Sequence, residues 1–325
     1  MMRIVFMGSP DDVVAPLRHL HDHGPKVGLE LIAVISQPAR PVGRGGKLQD
    51  PPVASFAKDL GVPCLQPDSA RAPEFLEAFR ELRPDVVVTA AYGQILSDEF
   101  LKIPRIGTIN IHPSRIPQYR GATPVPASLL DGLKTTAVTI LFTVKKLDAG
   151  NIILQQEFAI EATETAGALT KRLFEASGAM LMEALVMLAK SPEFQGVPQD
   201  DAKATFCKKI EKDMGFINWN ADAVTVFNRF RAFEPWPGSW TAHGGRRIAV
   251  TDMALLSVNQ QSASNPGQFL FDKPSKSLIV TCAKGAIAIR RLKPAGGKDM
   301  DAPSFWNGLK DKTDLTFHMI SPESQ

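Results

Sequence analysis

The residues of this chain best suited to chemistry lie in the segment GTINIHPSRIPQYRG, residues 107–121, where two polar side chains interrupt an apolar run. Successive side chains of a β-strand point to opposite faces, so Asn110 and His112 would share one surface and the isoleucines the other. Pro113 cannot donate a hydrogen bond to a neighbouring strand, so the strand is expected to end at His112. In a parallel sheet that end is where ligands bind. A lone histidine would more often be a buried residue with an internal hydrogen-bond partner.

A carboxylate follows the next apolar strand along the chain. Asp148, in KKLDAG, comes directly after TTAVTILFTV. If the two strands are parallel neighbours, their carboxyl ends bring Asp148 and His112 together. A carboxylate that orients an imidazole, beside the Asn110 amide, could support acyl transfer by stabilising an oxyanion. Since no serine or cysteine is obviously placed as a nucleophile, we expect the attacking group to belong to the substrate.

Other motifs favour neither a nucleotide nor a metal site. GSPDD after the first strand has one glycine and lacks the dinucleotide-binding pattern, and GRGGKL has Leu48 where a phosphate loop needs Ser or Thr. In HLHDHG only His19 and His23 would share a helix face, and without a third ligand no metal is expected. The three cysteines are far apart and form no CxxC, which argues against a disulfide framework and against a zinc site.

The composition is that of an ordinary globular protein long enough for two domains, with 325 residues, 44% hydrophobic and 22% charged. No apolar run approaches the roughly 18 residues that span a bilayer. The first ten residues are typical of a strand and a turn and not of a signal peptide. We therefore expect a cytoplasmic protein with no membrane partner. The expected oligomeric state is a monomer.

The net charge of +3 is unevenly distributed along the chain. From Thr205 onward there are 16 Lys/Arg against 11 Asp/Glu, whereas the preceding residues hold 21 against 23. A basic excess in the last third indicates a polyanionic partner. The alternative is a solvated, lysine-rich surface.

Short apolar runs alternate with helical patterns in the first half of the chain, which predicts βαβ units. A proline-rich, aperiodic stretch follows, and then one helix and short strands separated by turns, which predicts a small β-barrel. The predicted fold class is α/β, with a Rossmann-like, mostly parallel sheet and flanking helices followed by a small OB-like barrel. The predicted divisions are a catalytic domain over 1–190, a linker over 191–206 and a C-terminal domain over 207–325.

The segment SQPARPVGRGGKLQDPP, residues 36–52, concentrates cations among prolines and glycines. Arg40, Arg44 and Lys47 lie in it. Prolines and glycines disfavour the interior of helices and strands, so we expect a long irregular loop that is mobile in the free protein. Surface loops of this length are often functional, and this one could track phosphates.

The triplet Asn110, His112 and Asp148, with HPSRIPQYRGATP and LDAGNI, resembles the formyltransferases that use 10-formyltetrahydrofolate. The resemblance covers nearly the whole chain. QPARPVGRGGKL is similar to a basic insertion loop of that family, AAYGQIL to its folate-side segment, and RAFEPWPGSW to the start of a tRNA-binding C-terminal barrel. The resemblance therefore implies that 10-formyltetrahydrofolate is the formyl donor and that the α-amino group of methionine on initiator tRNA is the acceptor.

The resemblance also implies roles for individual residues. Asn110 and the protonated ring of His112 would donate hydrogen bonds to the oxyanion, and Asp148 would orient His112. The folate contacts implied are Ser114, Arg115, Ile116, Pro117, Ala91, Tyr92 and Gly93. The implied tRNA contacts, chosen with the basic loop and the basic C-terminal third, are Arg40, Arg44, Lys47, Lys208, Lys209, Arg246 and Arg247.

Two other functions stay open at this point. A sugar-nucleotide formyltransferase would share the chemistry but act on an amino sugar, and it would not need the cations of residues 40–47. A non-catalytic Rossmann-like module with a nucleic-acid-binding barrel would need neither folate nor an amine acceptor.

Overall fold

The computed structural model describes residues 1–43, 46–256 and 265–318, and the chain forms two compact units. The first unit comprises Met1–Pro124, Thr135–Ile160 and Ala168–Lys208, and the second comprises Val125–Lys134, Glu161–Gly167 and Lys209–Gln325.

Strands and helices alternate through the first unit. Its strands are β1 (Met2–Gly8), β2 (Leu29–Ile35), β3 (Arg40–Val42), β4 (Lys47–Gln49), β5 (Cys64–Leu65), β6 (Val86–Ala90), β7 (Gly107–His112), β8 (Arg120–Gly121), β9 (Thr135–Phe142), β10 (Ile152–Ala159) and β11 (Phe206–Cys207). The helices of the chain are α1 (Val14–His23), α2 (Pro52–Asp59), α3 (Pro73–Glu81), α4 (Asp98–Leu101), α5 (Pro124–Leu130), α6 (Ala166–Lys190), α7 (Ala223–Phe233) and α8 (Ala302–Gly308). Most of α5 belongs to the second unit and most of α6 to the first.

Seven strands form the main sheet of the first unit, in the order β10-β9-β7-β6-β1-β2-β5. The five strands from β7 to β5 pair in parallel. Every residue of β6 is buried, as a parallel sheet with helices on both faces requires. On one face, the rings of Phe75, Phe79 and Phe100 stack on one another, and they share a hydrophobic cluster with Val5 and Val87 of the sheet. The prediction of a mostly parallel α/β sheet is confirmed.

The strand next to β7 on its other side runs in the opposite direction. Ile109 pairs with Phe142 and His112 pairs with Thr139, so β9 is antiparallel to β7. The prediction that Asp148 follows a parallel neighbour of β7 is therefore wrong. An alternation of apolar residues encodes a strand but not its direction, and antiparallel edge strands on otherwise parallel sheets are common. Asp148 instead lies in the loop 143–151 between β9 and β10.

The basic segment after β2 forms a β-hairpin, so the prediction of an irregular loop over 36–52 is wrong in its centre. β3 and β4 pair antiparallel, with Pro41 opposite Leu48. A two-stranded ribbon tolerates proline because one edge of each strand needs no hydrogen-bond donor. Gly43 and Gly46 adopt positive φ values of 71° and 60°, which glycine reaches without steric cost in a turn. Arg44 lies outside the described residues.

The second unit is built around an antiparallel sheet. Its strands are β12 (Ser239–His243), β13 (Arg246–Leu255), β14 (Phe269–Asp272), β15 (Ser277–Thr281), β16 (Ala286–Pro294) and β17 (Met300–Asp301). The order is β12-β13-β16-β15-β14, and β17 pairs with β16.

A segment near the end of the described chain joins the two outer strands of this sheet. His318 forms a bridge with Ala242 of β12, and Thr316 forms a bridge with Gln268 next to β14. The main-chain N–H of Phe269 donates to the carbonyl of Leu315 at 2.8 Å. Closure removes open sheet edges, which is how small barrels avoid unpaired strands. The prediction of a small C-terminal β-barrel is confirmed.

The core of the second unit is aromatic and aliphatic. In α7, Val226, Phe227 and Phe230 occur at the spacing of one helix face and are buried together with Ile248 and Ile289 of the sheet. This core gives the C-terminal unit its own hydrophobic centre.

Candidate active site

The carboxyl ends of the parallel strands meet at one edge of the main sheet. Gly8 at the end of β1 pairs with Ala90 at the end of β6, and Thr89 pairs with Asn110 of β7. β7 ends at His112, immediately before Pro113, as expected. The turn that contains residues 91–93 and the turn that follows His112 therefore both begin at this edge, where α/β folds bind ligands.

Asn110 is held by a threonine on the neighbouring strand. The Thr89 hydroxyl lies 2.9 Å from Asn110 Oδ1 and 3.1 Å from the carbonyl oxygen of Ile109, and it can donate to either. With Oδ1 accepting from Thr89, the Asn110 Nδ2 is the amide atom available to donate to another group. The sequence analysis missed Thr89, although a single threonine within the buried strand VVVTA was a signal that could have identified it.

His112 is buried at the end of its strand, with 4% of its surface exposed. Its Nε2 lies 3.0 Å from the carbonyl oxygen of Tyr119. A carbonyl only accepts, so Nε2 carries a proton and donates it there. The other ring nitrogen, Nδ1, lies 3.9 Å from Asp148 Oδ2. The structure thus brings the predicted imidazole and carboxylate together, although by a loop and not by a parallel strand.

Asp148 is fixed on several sides. Its Oδ2 accepts a hydrogen bond of 2.8 Å from the main-chain N–H of Gly121, and its own carbonyl accepts one of 2.9 Å from Gln199 Nε2. The backbone of Asp148 has a positive φ of 47°, an uncommon conformation for a residue with a side chain, which the surrounding contacts must maintain. Gly121 and Gln199 were not predicted as site residues.

The turn that follows His112 is stabilised by its own hydrogen bonds and by side chains of β10. Ser114 is fully buried and its hydroxyl donates to the carbonyl of Gln118 at 3.1 Å. The Gln155 side chain donates to the carbonyl of Ile116 at 2.9 Å. Arg115 is exposed and forms an ion pair with Glu157. Among the predicted folate contacts, the side chains of Ser114 and Ile116 are therefore buried in the protein, and Pro117 is partly exposed.

The second predicted folate segment, residues 91–93, has an unusual backbone. Ala91 and Gly93 are exposed and have φ values of 44° and 83°. The ring of Tyr92 is buried in the apolar core, and this burial raises the pKa of its hydroxyl to about 12. The Gln37 side chain donates to the Tyr92 carbonyl at 2.8 Å. A Cβ at Gly93 would lie 2.6 Å from Gln37 Nε2, so a side chain at this position would displace the Gln37 amide.

Gln37 also joins this turn to the basic hairpin. Arg40 donates to Gln37 Oε1 at 2.7 Å, and Lys47 is exposed on β4. Val42 and Leu48 are 54% and 65% exposed on the same hairpin. A cavity of about 320 Å³ at the base of the hairpin is lined by residues that include Ser9, Gln37, Arg40, Val42 and Asp50.

The predicted basic residues of the C-terminal third occupy different environments. Lys208 and Lys209 are exposed, and they belong to the first and second units respectively. Arg246 is exposed at the start of β13. Arg247 is half-buried, with its guanidinium 4.2 Å from the centre of the Trp240 ring, and burial lowers the pKa of its side chain.

The described residues hold no cluster of three or more His, Cys, Asp or Glu arranged for a metal ion. His19 and His23 lie with their ring centres 4.4 Å apart, and burial lowers the pKa of His19. Within the part of the chain that the structure describes, no helix combines the length and apolarity needed to cross a bilayer.

Comparison with known families identifies the class of protein that carries this fold and site. The chain matches the family described as formyl transferase over residues 2–185, and the formyl transferase C-terminal domain over residues 209–310. The chain therefore belongs to the formyl transferase family.

Individual relatives are similar over nearly their whole length. The chain is 37% identical over 312 residues to the methionyl-tRNA formyltransferase of Ruminiclostridium cellulolyticum, and these residues cover 96% of this chain and 98% of that protein. It is 36% identical over 314 residues to the methionyl-tRNA formyltransferase of Staphylococcus aureus, covering 96% of this chain and 97% of that protein.

Solved structures with lower identity share the fold. HypX from Aquifex aeolicus in complex with tetrahydrofolic acid has a TM-score of 0.64 at 16% identity, covering 98% of this chain and 51% of HypX. The N-formyltransferase from Helicobacter canadensis in complex with folinic acid and dTDP-3-aminofucose has a TM-score of 0.63 at 17% identity, covering 89% of this chain and 99% of that enzyme.

Proposed function

We propose that this protein transfers the formyl group of 10-formyltetrahydrofolate to the α-amino group of methionine on initiator methionyl-tRNA, as a cytoplasmic monomer acting in translation initiation. One observation carries the proposal. The Asn110 amide, the His112 ring and the Asp148 carboxylate converge at one sheet edge of a chain that is 36–37% identical, over nearly its whole length, to relatives named methionyl-tRNA formyltransferase.

The chemistry needs an oxyanion donor. When the methionine amine attacks the formyl carbon, negative charge develops on the formyl oxygen. Asn110 Nδ2 is the donor we assign to that oxygen, because Oδ1 is engaged by Thr89 at 2.9 Å. Loss of one such donor typically lowers the rate about 10²–10³-fold.

A proton must also move from the attacking amine to the N10 nitrogen of the folate, so that the bond between the formyl carbon and N10 can break. His112 Nε2 is committed to the Tyr119 carbonyl at 3.0 Å, which leaves Nδ1 as the ring atom that exchanges a proton with the substrates. The Asp148 carboxylate, 3.9 Å from Nδ1, would balance the charge that the ring gains. The products are formylmethionyl-tRNA and tetrahydrofolate.

We assign the formyl donor to the sheet edge beside this triplet. Residues 91–93 and 114–117 begin at the carboxyl ends of β6 and β7, next to Asn110 and His112. Since the side chains of Ser114, Ile116 and Tyr92 are buried, their contribution to folate binding would come from main-chain groups and from the shape of the two turns.

We assign the tRNA to the basic surfaces. The hairpin presents Arg40 and Lys47 together with exposed Val42 and Leu48, a combination that can contact both phosphates and bases. In the C-terminal third, Lys208, Lys209, Arg246 and Arg247 would contribute phosphate contacts. Arg44, which lies outside the described residues, is proposed for the same role. An amino-sugar acceptor is favoured by no observation of this chain, because the likeness to sugar N-formyltransferases is one of fold.

An acceptor comparison tests this proposal. The protein, 10-formyltetrahydrofolate and each acceptor in turn would be incubated, and the formylated product would be measured by mass spectrometry. The acceptors are initiator methionyl-tRNA, the same tRNA without methionine, and a dTDP-linked amino sugar. We expect product with initiator methionyl-tRNA alone. Product with the amino sugar and none with methionyl-tRNA would overturn the assignment.

A further inference from the structure

We propose that Gln199 is a positioning residue for Asp148, held in place by the buried Arg120, and that formyl transfer depends on it. The inference rests on the proposed function for its rate measurement, although its structural part can be tested without any substrate. Gln199 lies in the segment that follows α6, which the sequence predicted to be a linker between domains.

The hydrogen-bonding capacity of the Gln199 side chain is fully used between Arg120 and the Asp148 loop. Its Oε1 accepts from Arg120 Nε at 3.1 Å and from Nη2 at 2.5 Å. Its Nε2 donates to the carbonyl of Asp148 at 2.9 Å and to the carbonyl of Gly150 at 2.6 Å. An amide has two acceptor sites and two N–H donors, so all four are satisfied. Gln199 therefore fixes the main chain on both sides of residue 149.

Arg120 is buried and anchors this arrangement. Only 1% of its side-chain surface is exposed, and its Nη2 also forms an ion pair of 2.8 Å with Asp201. Asp201 is paired in turn with Lys146 of the Asp148 loop, and these two partners lower the pKa of the Asp201 carboxyl. A buried cation is costly to leave without its partners, so Arg120 strongly favours the conformation in which Gln199 and Asp201 face it.

The same segment also holds the turn that the site uses. The main-chain N–H of Tyr119 donates to the Thr205 hydroxyl at 2.9 Å. The main-chain N–H of Arg120 donates to the Thr205 carbonyl, also at 2.9 Å. β11 then pairs with β8, which places Cys207 beside Gly121. Tyr119 provides the carbonyl that accepts from His112, and Gly121 provides the N–H that donates to Asp148. Residues 199–207 thus contact Tyr119 and Gly121, the residues that bond to His112 and to the Asp148 carboxylate.

Neither family match contains this segment. The two matched ranges end at 185 and begin at 209, and Gln199, Asp201 and Thr205 lie between them. The two family matches therefore give no role to these residues, and the segment has no periodicity that would indicate packing. Their role follows only from the hydrogen bonds.

Two substitutions at one position separate positioning from support of the fold. Gln199→Ala removes the donors to the Asp148 loop and the acceptor for Arg120. Gln199→Glu keeps an acceptor for Arg120, as a carboxylate, but faces the carbonyls of Asp148 and Gly150 with oxygen atoms that cannot donate. If the side chain served only to satisfy Arg120, Gln199→Glu would restore activity. We expect instead that Gln199→Glu melts near the wild-type temperature and is as impaired in kcat as Gln199→Ala.

The expected loss in kcat is about tenfold to a hundredfold, the effect of one to two lost hydrogen bonds on a group that acts in the transition state. KM for methionyl-tRNA and for the folate should change less than about threefold. Gln195→Ala is the matched control, because Gln195 is exposed in the same segment and its side chain bonds only the carbonyl of Glu193 among the described residues. In an Asp148→Ala background, Gln199→Ala should cause no further loss in kcat, since the two act as one unit.

Amide hydrogen exchange at Gly121 supplies the readout that does not depend on substrate. The Gly121 N–H is protected by Asp148 Oδ2 at 2.8 Å, so Gln199→Ala and Gln199→Glu should speed its exchange at least about tenfold, and Gln195→Ala should not. If the Gln199 variants exchange faster but the wild-type protein formylates no methionyl-tRNA, the proposed function is refuted and the positioning role of Gln199 stands. Wild-type exchange at Gly121, or wild-type kcat in Gln199→Glu, would overturn the inference whatever the acceptor.

Discussion

Replacing Thr89 by valine removes one hydroxyl next to the group that we assign to the oxyanion, and it keeps the shape of the side chain. Thr89 is buried on β6, with 7% of its surface exposed, and its hydroxyl lies 2.9 Å from Asn110 Oδ1. Once this hydroxyl is removed, no described hydrogen bond fixes which of the two Asn110 amide atoms, Oδ1 or Nδ2, faces the substrate. The amide would then spend part of its time with Oδ1, an acceptor, facing the substrate.

The size of the effect follows from the strength of this hydrogen bond. An intramolecular hydrogen bond contributes a net of about 0.5–1.5 kcal/mol, which corresponds to a ratio of about 2:1 to 13:1 between the correct and the flipped orientation of the amide in the wild type. When neither orientation is favoured, half of the amides face the substrate correctly, so we expect Thr89→Val to lower kcat by about 1.4-fold to twofold. Asn110→Ala should lower it by about 10²–10³, since it removes the donor itself. The affinity for methionyl-tRNA should not change.

Thr136→Val is the matched control for this prediction. Thr136 is buried on β9 of the same sheet, with 2% exposed, and its hydroxyl has no hydrogen-bond partner within the described structure. The same chemical change there should leave kcat at the wild-type value. The assay is the steady-state rate of formyl transfer to methionyl-tRNA, with thermal melting of each variant. Equal rates for the wild type and Thr89→Val would refute the assigned orientation of Asn110.

Two further predictions concern the hairpin and a buried thiol. Replacing Arg40 and Lys47 by alanine should weaken tRNA binding and reduce the steepness of its salt dependence by about one per lost phosphate contact, as measured by filter binding, whereas the charge-matched pair Lys26→Ala and Lys102→Ala, before β2 and β7, should behave as the wild type. Burial raises the pKa of Cys282 to about 12, so at pH 8 about one thiol in 10⁴ is ionised and iodoacetamide should modify Cys282 only after unfolding. Rapid labelling of Cys282 in the folded protein would contradict its placement in the barrel core.

The sequence was most informative where a residue has a strong local preference. Pro113 ends β7 at His112 because proline cannot extend the ladder. The all-buried strand β6 was foreseeable from its run of valines, since only a strand covered on both faces tolerates such a run. These local rules were enough to place Asn110 and His112 together at one edge of the main sheet.

Other features depend on long-range pairing that no local pattern encodes. The direction of β9 depends on how it pairs with β7, and the alternation of apolar residues along β9 does not encode this pairing. Asp148 therefore reaches His112 by a loop that the sequence pattern could not reveal. The basic segment forms a hairpin because a two-stranded ribbon tolerates Pro41, and Gly43 and Gly46 adopt the positive φ values that its turn needs. Gln199 donates to the carbonyls of Asp148 and Gly150, which precede it by 51 and 49 positions in the chain. An aperiodic segment gives no sign of such distant contacts.

The most direct measurement of the central claim is a single-turnover experiment with His112→Ala. Wild-type and variant protein, in excess over initiator methionyl-tRNA and saturated with 10-formyltetrahydrofolate, would be mixed and quenched, and formylmethionyl-tRNA would be followed in time. Because His112 Nδ1 is the atom that we assign to proton exchange beside Asp148, we predict a rate at least about a hundredfold below the wild type, with tRNA binding and melting temperature retained. A variant that is folded, binds tRNA and formylates it at the wild-type rate would contradict the account.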